Sequence, residues 1–106
     1  MLVSVIIPYF KDEKNISKSI ASVLNQNYKN IEIIIIDDEN SKNSKKILNK
    51  LKHKKIKILY TKKNLGVAKA RNLGIKRSKG KFIAFLDSDD RWKKNKIYYQ
   101  LKIMKK

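Results

Sequence analysis

The stretch IEIIIIDDENS, residues 31–41, decides the fold, because an apolar run of strand length ends abruptly on three acidic side chains. Isoleucine fills five of its first six positions, and a run without alternation is typical of a strand buried on both faces of a parallel sheet. Three similar runs occur elsewhere, namely VSVIIP (3–8), IKILY (56–60) and KFIAFLD (81–87). We therefore predict four parallel strands, each buried on both faces.

Helical patterns separate these runs and follow the last of them. The spacing predicts which residues share one side of each helix: Ile16, Ile20, Val23 and Leu24; Ile47, Leu48 and Leu51; Val67, Ala70, Arg71 and Gly74; and Ile97, Leu101 and Met104. The first helix is predicted over about 14–27. Ser41 or Asn43 is placed to cap the second helix and Asn64 the third. The fourth helix is predicted to begin near Arg91, with Asp90 as its candidate cap.

The order of elements predicts an α/β fold, with a mostly parallel, Rossmann-like βαβαβαβ sheet in one domain over residues 1–106. In such sheets, ligands bind outside the carboxyl ends of the strands. Acidic residues follow the second and the fourth strand. Six of the nine acidic residues are therefore predicted to meet at this edge: Asp37, Asp38, Glu39, Asp87, Asp89 and Asp90.

The net charge of +18 suggests attraction to nucleic acid or to anionic membranes. Lysine outnumbers arginine 24 to 3, however, and specific nucleic-acid recognition favours arginine, so we expect no specific nucleic-acid partner. A compositional bias over solvated surface is the plain interpretation, and peripheral contact with an anionic membrane comes next. The absence of cysteine excludes disulfides and favours a reducing compartment. We expect a cytoplasmic protein, free or at the cytoplasmic face of the membrane.

The sequence LDSDD at residues 86–90 has the chemistry of a metal site. Mg²⁺ and Mn²⁺ prefer oxygen ligands, and a cation would relieve the repulsion between Asp87 and Asp89. The alternative is a helix N-terminus, which suits Asp90 better than the other two. For Asp37 and Asp38, the alternative is a polar turn between a strand and a helix.

Five segments occur in a characteristic order: VSVIIPYF, LNQNY, IEIIIIDDENS, NLGVAKARNLGI and GKFIAFLDSDD. This order resembles the N-terminal half of inverting family 2 glycosyltransferases with a GT-A fold, over essentially all 106 residues. The resemblance implies transfer of a sugar from a nucleotide-sugar donor, usually UDP-linked, to an acceptor hydroxyl on a glycan or a lipid-linked acceptor. It also implies Mn²⁺ or Mg²⁺ as cofactor and a role in bacterial surface polysaccharide synthesis.

The resemblance further implies nucleotide-binding residues near the first two strands. Pro8, Tyr9 and Phe10 match the loop that packs against the base, although either aromatic ring could instead belong to the core. Asp38 matches the acid that commonly hydrogen-bonds the uracil, and Asp37 is its neighbour in the same motif.

Other implied site residues lie on the third helix and after the fourth strand. Arg71 and Asn72 match a basic position near the nucleotide and its neighbour. Asp87, Ser88 and Asp89 match the D-x-D motif, in which the second acid ligates the metal and the first faces the ribose or the donor sugar. The resemblance therefore implies Asp89 and Asp87 as the metal residues.

Two segments depart from the family pattern. Phe10 and Lys11 stand where the family often has Tyr-Asn, which removes a hydroxyl and an amide from the base-binding loop. Residues 39–42 read ENSK where the family usually has Gly-Ser-Thr-Asp. The extra charge of Glu39 lies beside Asp38 and leaves the identity of the base open.

The resemblance places the general base and the acceptor half well after the D-x-D motif. No carboxylate follows Asp90, so we expect the base beyond Lys106 and donor binding without transfer by this chain alone. The alternative hypothesis is a non-catalytic basic α/β module that binds polyanions such as nucleic acid or anionic membrane. A further possibility that the sequence does not decide is a homodimer that covers an exposed edge of the sheet. The last helix, with Trp92 and many lysines, suits either a membrane interface or a cover for the sheet.

Overall fold

The computed structural model describes residues 1–104, and strands and helices alternate along them as predicted. The strands are β1 (Val3–Tyr9), β2 (Ile31–Asp37), β3 (Ile56–Tyr60) and β4 (Phe82–Phe85). The helices are α1 (Glu13–Leu24), α2 (Lys42–Asn49), α3 (Val67–Arg77) and α4 (Lys96–Met104). The strands pair in parallel in the order β3-β2-β1-β4, which confirms the α/β class and the parallel sheet. Lys105 and Lys106 lie outside the described residues.

The two central strands differ from the two edge strands in burial. All seven residues of β1 and all seven of β2 are buried, as predicted. The same prediction is wrong for β3 and β4, where side chains such as Tyr60, Ile83 and Phe85 are exposed. An edge strand has a neighbour on one side only, and the helices do not cover its outer positions completely.

Two hydrophobic cores cover the two faces of the sheet. The larger packs α1, α2 and α4 against one face, and the smaller packs α3 against the other through Ile6 and Ala70. Gly74 allows α3 to approach closely, because a Cβ there would lie 2.6 Å from Cγ2 of Ile6. Gly66 has open space around it and a φ of 89°, so it serves a turn rather than close packing.

The observed helix starts confirm one predicted cap and correct another. Ser41 caps α2, with its Oγ accepting a hydrogen bond from Ser44 N at 3.0 Å, as one of the two predicted candidates. The predicted cap of α3, Asn64, is wrong, since the N-cap position is Gly66. Asn64 Oδ1 only reaches the Gly66 amide, at 3.1 Å, and that amide also donates to Asp38 Oδ2 at 2.9 Å.

The start of α4 corrects the sequence prediction most strongly. The helix begins at Lys96 rather than near Arg91, so Asp90 is not its N-cap. Ile97 and Leu101 are buried as predicted, but Met104 is 56% exposed and does not share their buried face. Within residues 1–104, none of the helices combines the length and the apolar character that crossing a bilayer requires.

Candidate functional site

A cleft of about 470 Å³ opens at the carboxyl edge of the sheet, between the loops after β1, β2 and β4 and the first turns of α3. Eight of the ten predicted site residues line it: Pro8, Tyr9, Phe10, Asp38, Arg71, Asp87, Ser88 and Asp89. Asp37 and Asn72 do not line it. Parallel strands end at a common edge, and the topology therefore brings residues up to about 80 positions apart into one site.

Asp37 secures the loop between β2 and α2. Its carboxylate is fully buried and accepts hydrogen bonds from the amides of Glu39 and Asn40, at 3.2 and 2.9 Å, and from Ser44 Oγ at 2.7 Å. Asn40 adopts a left-handed conformation with φ of 47°, which asparagine tolerates well. The structure thus gives Asp37 a set of protein partners that shapes the loop beneath the cleft.

Asp38 connects β2 to the start of α3. It is 3% exposed, and its Oδ1 accepts hydrogen bonds from Thr61 Oγ1 and Leu65 N, both at 2.8 Å. Its Oδ2 accepts from Gly66 N at 2.9 Å. The negative charge therefore lies at the positive end of the α3 dipole. A carboxylate has about four acceptor positions, so one position on Oδ2 remains for a ligand in the cleft.

Arg71 and Asp87 form an ion pair across the cleft, with Nη2 and Oδ1 2.8 Å apart. The Arg71 guanidinium also lies over the ring of Phe85, with 5.5 Å between its carbon and the ring centroid. Its Nε is buried and has no hydrogen-bond partner among residues 1–104. Both side chains of the pair remain partly exposed, so the pair contributes little to stability and can exchange partners.

Asp87, Asp89 and Asp90 each offer a carboxylate oxygen, and these oxygens lie within 4.8 Å of one another. All three residues are exposed. The separation fits one hard divalent cation, whose oxygen ligands lie about 2.0–2.6 Å from the ion. Asp90 belongs to this group because a turn brings its amide to the Asp87 carbonyl at 2.9 Å, and sequence analysis had assigned it to a helix cap instead.

The two aromatic residues at the carboxyl end of β1, Tyr9 within the strand and Phe10 just after it, have different surroundings. Tyr9 is buried in the larger core, and its hydroxyl has no hydrogen-bond partner within the described part of the chain. Burial raises the pKa of the Tyr9 phenol, and the charge of Glu39 raises it further. Phe10 is 42% exposed at the cleft. Of the two rings that sequence analysis left as either core or ligand contacts, Tyr9 is therefore core and Phe10 is available.

Sequence analysis missed two contacts that tie the loops of the cleft together. Asp12 Oδ2 accepts a hydrogen bond from Ser88 Oγ at 2.6 Å, which joins the loop after β1 to the D-x-D loop. Glu39 Oε1 accepts from the Lys11 amide at 3.1 Å and joins the loops after β1 and β2. Asp12 belongs to none of the motifs, and Glu39 was noted only as an acid at this edge and as a departure from the family pattern.

Ser19 in α1 and Gln26 just after this helix bind the chain around and after the three exposed acids, Asp87, Asp89 and Asp90. Ser19 is fully buried, and its Oγ lies 2.5 Å from the carbonyl oxygens of both Ser88 and Asp90. Gln26 is also fully buried and donates to the Lys93 carbonyl at 2.6 Å. The segment 88–95 is therefore held along α1 without being helical. In the sequence, only the motif LNQNY pointed to Gln26, and nothing pointed to Ser19.

The acidic residues separate from the basic ones more completely than the sequence predicted. Eight of the nine lie at the carboxyl edge, since Asp12 and Glu13 at the start of α1 join the six that were predicted there. The ninth, Glu32, lies near the opposite edge. A cleft that gathers the acidic charge of a +18 chain and places an arginine beside it is suited to a cation together with an anionic ligand.

Many ligand-binding α/β folds share a parallel sheet with a cleft outside its carboxyl ends, and the structural neighbours of this one, described below, are GT-A glycosyltransferases. The chain belongs to glycosyl transferase family 2, whose family model matches residues 4–106. This confirms the resemblance found in the sequence.

Relatives in other bacteria share this stretch as part of longer chains. The Escherichia coli UDP-Glc:alpha-D-GlcNAc-diphosphoundecaprenol beta-1,3-glucosyltransferase WfgD is 44% identical over 105 residues, which cover 99% of this chain and 42% of WfgD. An uncharacterized glycosyltransferase of Haemophilus influenzae is 42% identical, with 97% and 42% covered. The chain thus spans less than half the length of these relatives.

Solved structures agree with the fold. S. aureus TarS 1-349 matches with a TM-score of 0.88 and 28% identity, over 99% of this chain and 32% of that chain. The same protein in complex with UDP-GlcNAc matches with a TM-score of 0.85 and 26% identity. A Pyrobaculum calidifontis mannosyltransferase in complex with GDP-Man and Mn²⁺ shares the fold at 19% identity, with a TM-score of 0.77.

Proposed function

We propose that residues 1–106 form the donor-binding part of an inverting glycosyltransferase that transfers a sugar from a UDP-linked donor to an acceptor hydroxyl in glycan synthesis. The observation that carries this proposal is the cleft itself, where two exposed carboxylates, Asp87 and Asp89, meet the Arg71 guanidinium and an exposed aromatic ring, with Asp90 close to both acids. Sequence similarity to WfgD and structural similarity to TarS with UDP-GlcNAc support the UDP-linked donor.

Asp89 and Asp87 would hold Mn²⁺ or Mg²⁺, with Asp90 within reach of the same ion. The fit rests on the three oxygens within 4.8 Å and on the preference of these ions for oxygen ligands. When bound, such an ion neutralises a diphosphate and stabilises it as a leaving group. The Mn²⁺ complex of the related mannosyltransferase fold supports this assignment.

Arg71 is placed to bind the diphosphate. Its ion pair with Asp87 holds the guanidinium at the cleft, and the unpartnered Nε is a second donor on the same group. Guanidinium groups bind phosphate oxygens through two parallel hydrogen bonds, and Arg71 therefore suits this role better than any lysine would. Asn72 is exposed outside the cleft, and we assign it no direct contact.

The base would lie between the loop after β1 and Asp38. Pro8 and Phe10 supply apolar surface for its ring, and the free acceptor position on Asp38 Oδ2 can take one N–H from the base. Asp37 acts indirectly, since its buried hydrogen bonds fix the loop that carries Asp38. Ser88 orients the D-x-D loop through its hydrogen bond to Asp12.

The remaining assignments concern the whole enzyme. We propose a lipid-linked or glycan acceptor, as the name of WfgD indicates for that relative, and a general base outside the residues described here. We also propose a cytoplasmic protein that contacts the anionic cytoplasmic face of the membrane through its net charge of +18. A homodimer would cover the open β4 edge, and sedimentation equilibrium tests it.

Calorimetric titration of UDP, with and without Mn²⁺, tests the proposed donor site. We expect Mn²⁺ to tighten UDP binding at least about tenfold, and Asp89→Ala to abolish that gain. Glu13→Gln is the matched control, because Glu13 is an exposed acid at the same edge that does not line the cleft. If the affinity for UDP changes neither with Mn²⁺ nor with Asp89→Ala, and heparin binds in a salt-sensitive way, the polyanion-binding module is favoured instead.

A further inference from the structure

A second groove, of about 750 Å³, runs along α1 and shares no residue with the donor cleft. Lys18, Lys29, Arg91 and Lys94 line it together with Trp92, and no acidic residue does. A neighbouring hollow of about 550 Å³ shares Arg91, Trp92 and Lys94 with it and adds three side chains that matter here: Lys93, Lys96 and Tyr99. We refer to the two hollows together as the basic groove. It presents six cations and two large aromatic rings.

Hydrogen bonds with Ser22 and Gln26 fix the backbone segment that carries most of the cations of the basic groove. Ser22 Oγ accepts a hydrogen bond from Trp92 N at 3.1 Å, and the buried Gln26 donates to the Lys93 carbonyl at 2.6 Å. Gln26 Oε1 accepts from Ile97 N at 3.1 Å. These contacts replace the helical hydrogen bonds that the segment lacks, so its side chains project from a preorganised support rather than from a free loop.

No carboxylate neutralises the basic groove within residues 1–104. The described ion pairs join Lys57 to Glu32 and Arg71 to Asp87, and neither involves a cation of the groove. Clustered charge of one sign along a concave surface concentrates the potential and attracts ligands of the opposite sign. The groove therefore fits an anionic partner that supplies several negative charges.

We propose that the basic groove binds the phosphate groups of anionic lipid headgroups. Five of its six cations are lysines, which suit attraction to a charged surface, whereas base recognition in nucleic acid favours arginine. Trp92 and Tyr99 are amphipathic rings of the kind that settle at membrane interfaces. The inference rests on the proposed membrane contact, which it narrows to named residues, and it is independent of donor binding.

Flotation with vesicles tests the inference on the 106-residue chain. Phosphatidylcholine vesicles with added phosphatidylglycerol are compared with pure phosphatidylcholine vesicles. The groove variant carries Lys18→Gln, Lys29→Gln and Lys94→Gln. The matched control carries Lys50→Gln, Lys52→Gln and Lys54→Gln, which remove the same charge from exposed positions near the end of α2. We expect the groove variant to lose at least about tenfold in affinity for the anionic vesicles and the control less than about threefold.

Each other outcome overturns the proposal in a recognisable way. Equal losses in the two variants would assign binding to net charge alone, and equal binding to pure phosphatidylcholine would assign it to apolar contact. If pyrophosphate binds saturably to the unmodified chain and to the control variant but not to the groove variant, the ligand is a soluble phosphate. Tighter binding to single-stranded RNA at the same salt would identify nucleic acid. UDP titration with Mn²⁺ is expected to be unchanged in both variants, so failure of the groove and failure of the donor site are told apart.

Discussion

The acidic residues at the end of β2 and those after β4 lie at the same edge of the sheet, but their carboxylates have different roles. Asp37 and Asp38 are buried, and each accepts three hydrogen bonds from protein donors. Asp87, Asp89 and Asp90 are exposed, and among residues 1–104 only Arg71 donates to any of their side chains. The first group mainly shapes the loops and keeps a single acceptor position, on Asp38 Oδ2, whereas the second has most of its acceptor positions free for a ligand.

The difference shows what separates structural from functional acids in this fold. A buried carboxylate is stable only when protein donors satisfy it, and such donors leave it little capacity for a ligand. Exposed carboxylates close to one another repel, and an added cation relieves that repulsion. Substitutions in the two groups should therefore separate stability from binding.

Asp38→Asn should have the largest effect on stability. The amide keeps one acceptor oxygen but turns an N–H group toward backbone or hydroxyl donors, so at least one buried donor loses its partner. We expect a loss of about 3 kcal/mol in the free energy of unfolding, measured by urea titration. A loss below about 1 kcal/mol would contradict the structural role of Asp38.

Glu32→Gln extends the comparison to the opposite edge of the sheet. Burial pushes the pKa of Glu32 upward, but hydrogen bonds from Ser4 Oγ and Lys79 N and the charge of Lys57 outweigh it, so the folded-state pKa is lowered from 4.5. The stabilisation is then fully present above pH 4.5 and is lost as the pH falls through the lowered pKa. We expect the variant to be about 1–2 kcal/mol less stable at pH 7, with the difference shrinking in acid. A difference that grows as the pH falls would contradict the assignment.

Ser19→Ala tests whether α1 positions the loop that carries Asp87, Asp89 and Asp90. Loss of the hydroxyl should loosen the carbonyls of Ser88 and Asp90 and weaken Mn²⁺-dependent UDP binding about fivefold, while UDP binding without Mn²⁺ changes little. Ser17→Ala, at an exposed position of the same helix, is the control. Equal weakening with and without Mn²⁺ would indicate a general loss of packing rather than a positioning role.

Asp89→Asn should have the smallest effect on stability. The residue is exposed, and within the described part of the chain its carboxylate makes no hydrogen bond, so we expect a change of no more than about 0.5 kcal/mol in urea titration. The repulsion within the cluster should even ease slightly. Destabilisation by 2 kcal/mol or more would place Asp89 among the structural acids.

The order and type of elements could be predicted from the sequence because the apolar runs and helical periods are strong local signals. The gathering of acids at one edge followed from parallel topology alone. Eight of the ten site residues that were predicted from the family motifs line the cleft.

The features that the sequence did not predict depend on contacts between segments that are distant in the sequence. The start of α4 at Lys96 depends on Ser22 and Gln26, whose hydrogen bonds hold residues 92–95 in a non-helical conformation and reach the Ile97 amide in the first turn. Asp37 and Asp89 differ in role because the loops supply hydrogen-bond donors to Asp37 and, within residues 1–104, none to Asp89. Both are aspartates, so the residue type alone does not predict this difference. The exposure of β3 and β4 depends on strand order, which local periodicity does not determine.

The central claim is that the carboxylates after β4, and not those after β2, hold the metal. Paramagnetic broadening by Mn²⁺ in ¹H–¹⁵N NMR spectra tests it most directly, because the effect falls steeply with distance from the ion. We predict that sub-stoichiometric Mn²⁺ with UDP broadens the amides of Ser88, Asp89 and Asp90 first, and that Asp89→Asn removes this selectivity. Broadening centred on Asp37 and Asp38, or spread evenly over the sheet, would contradict the account.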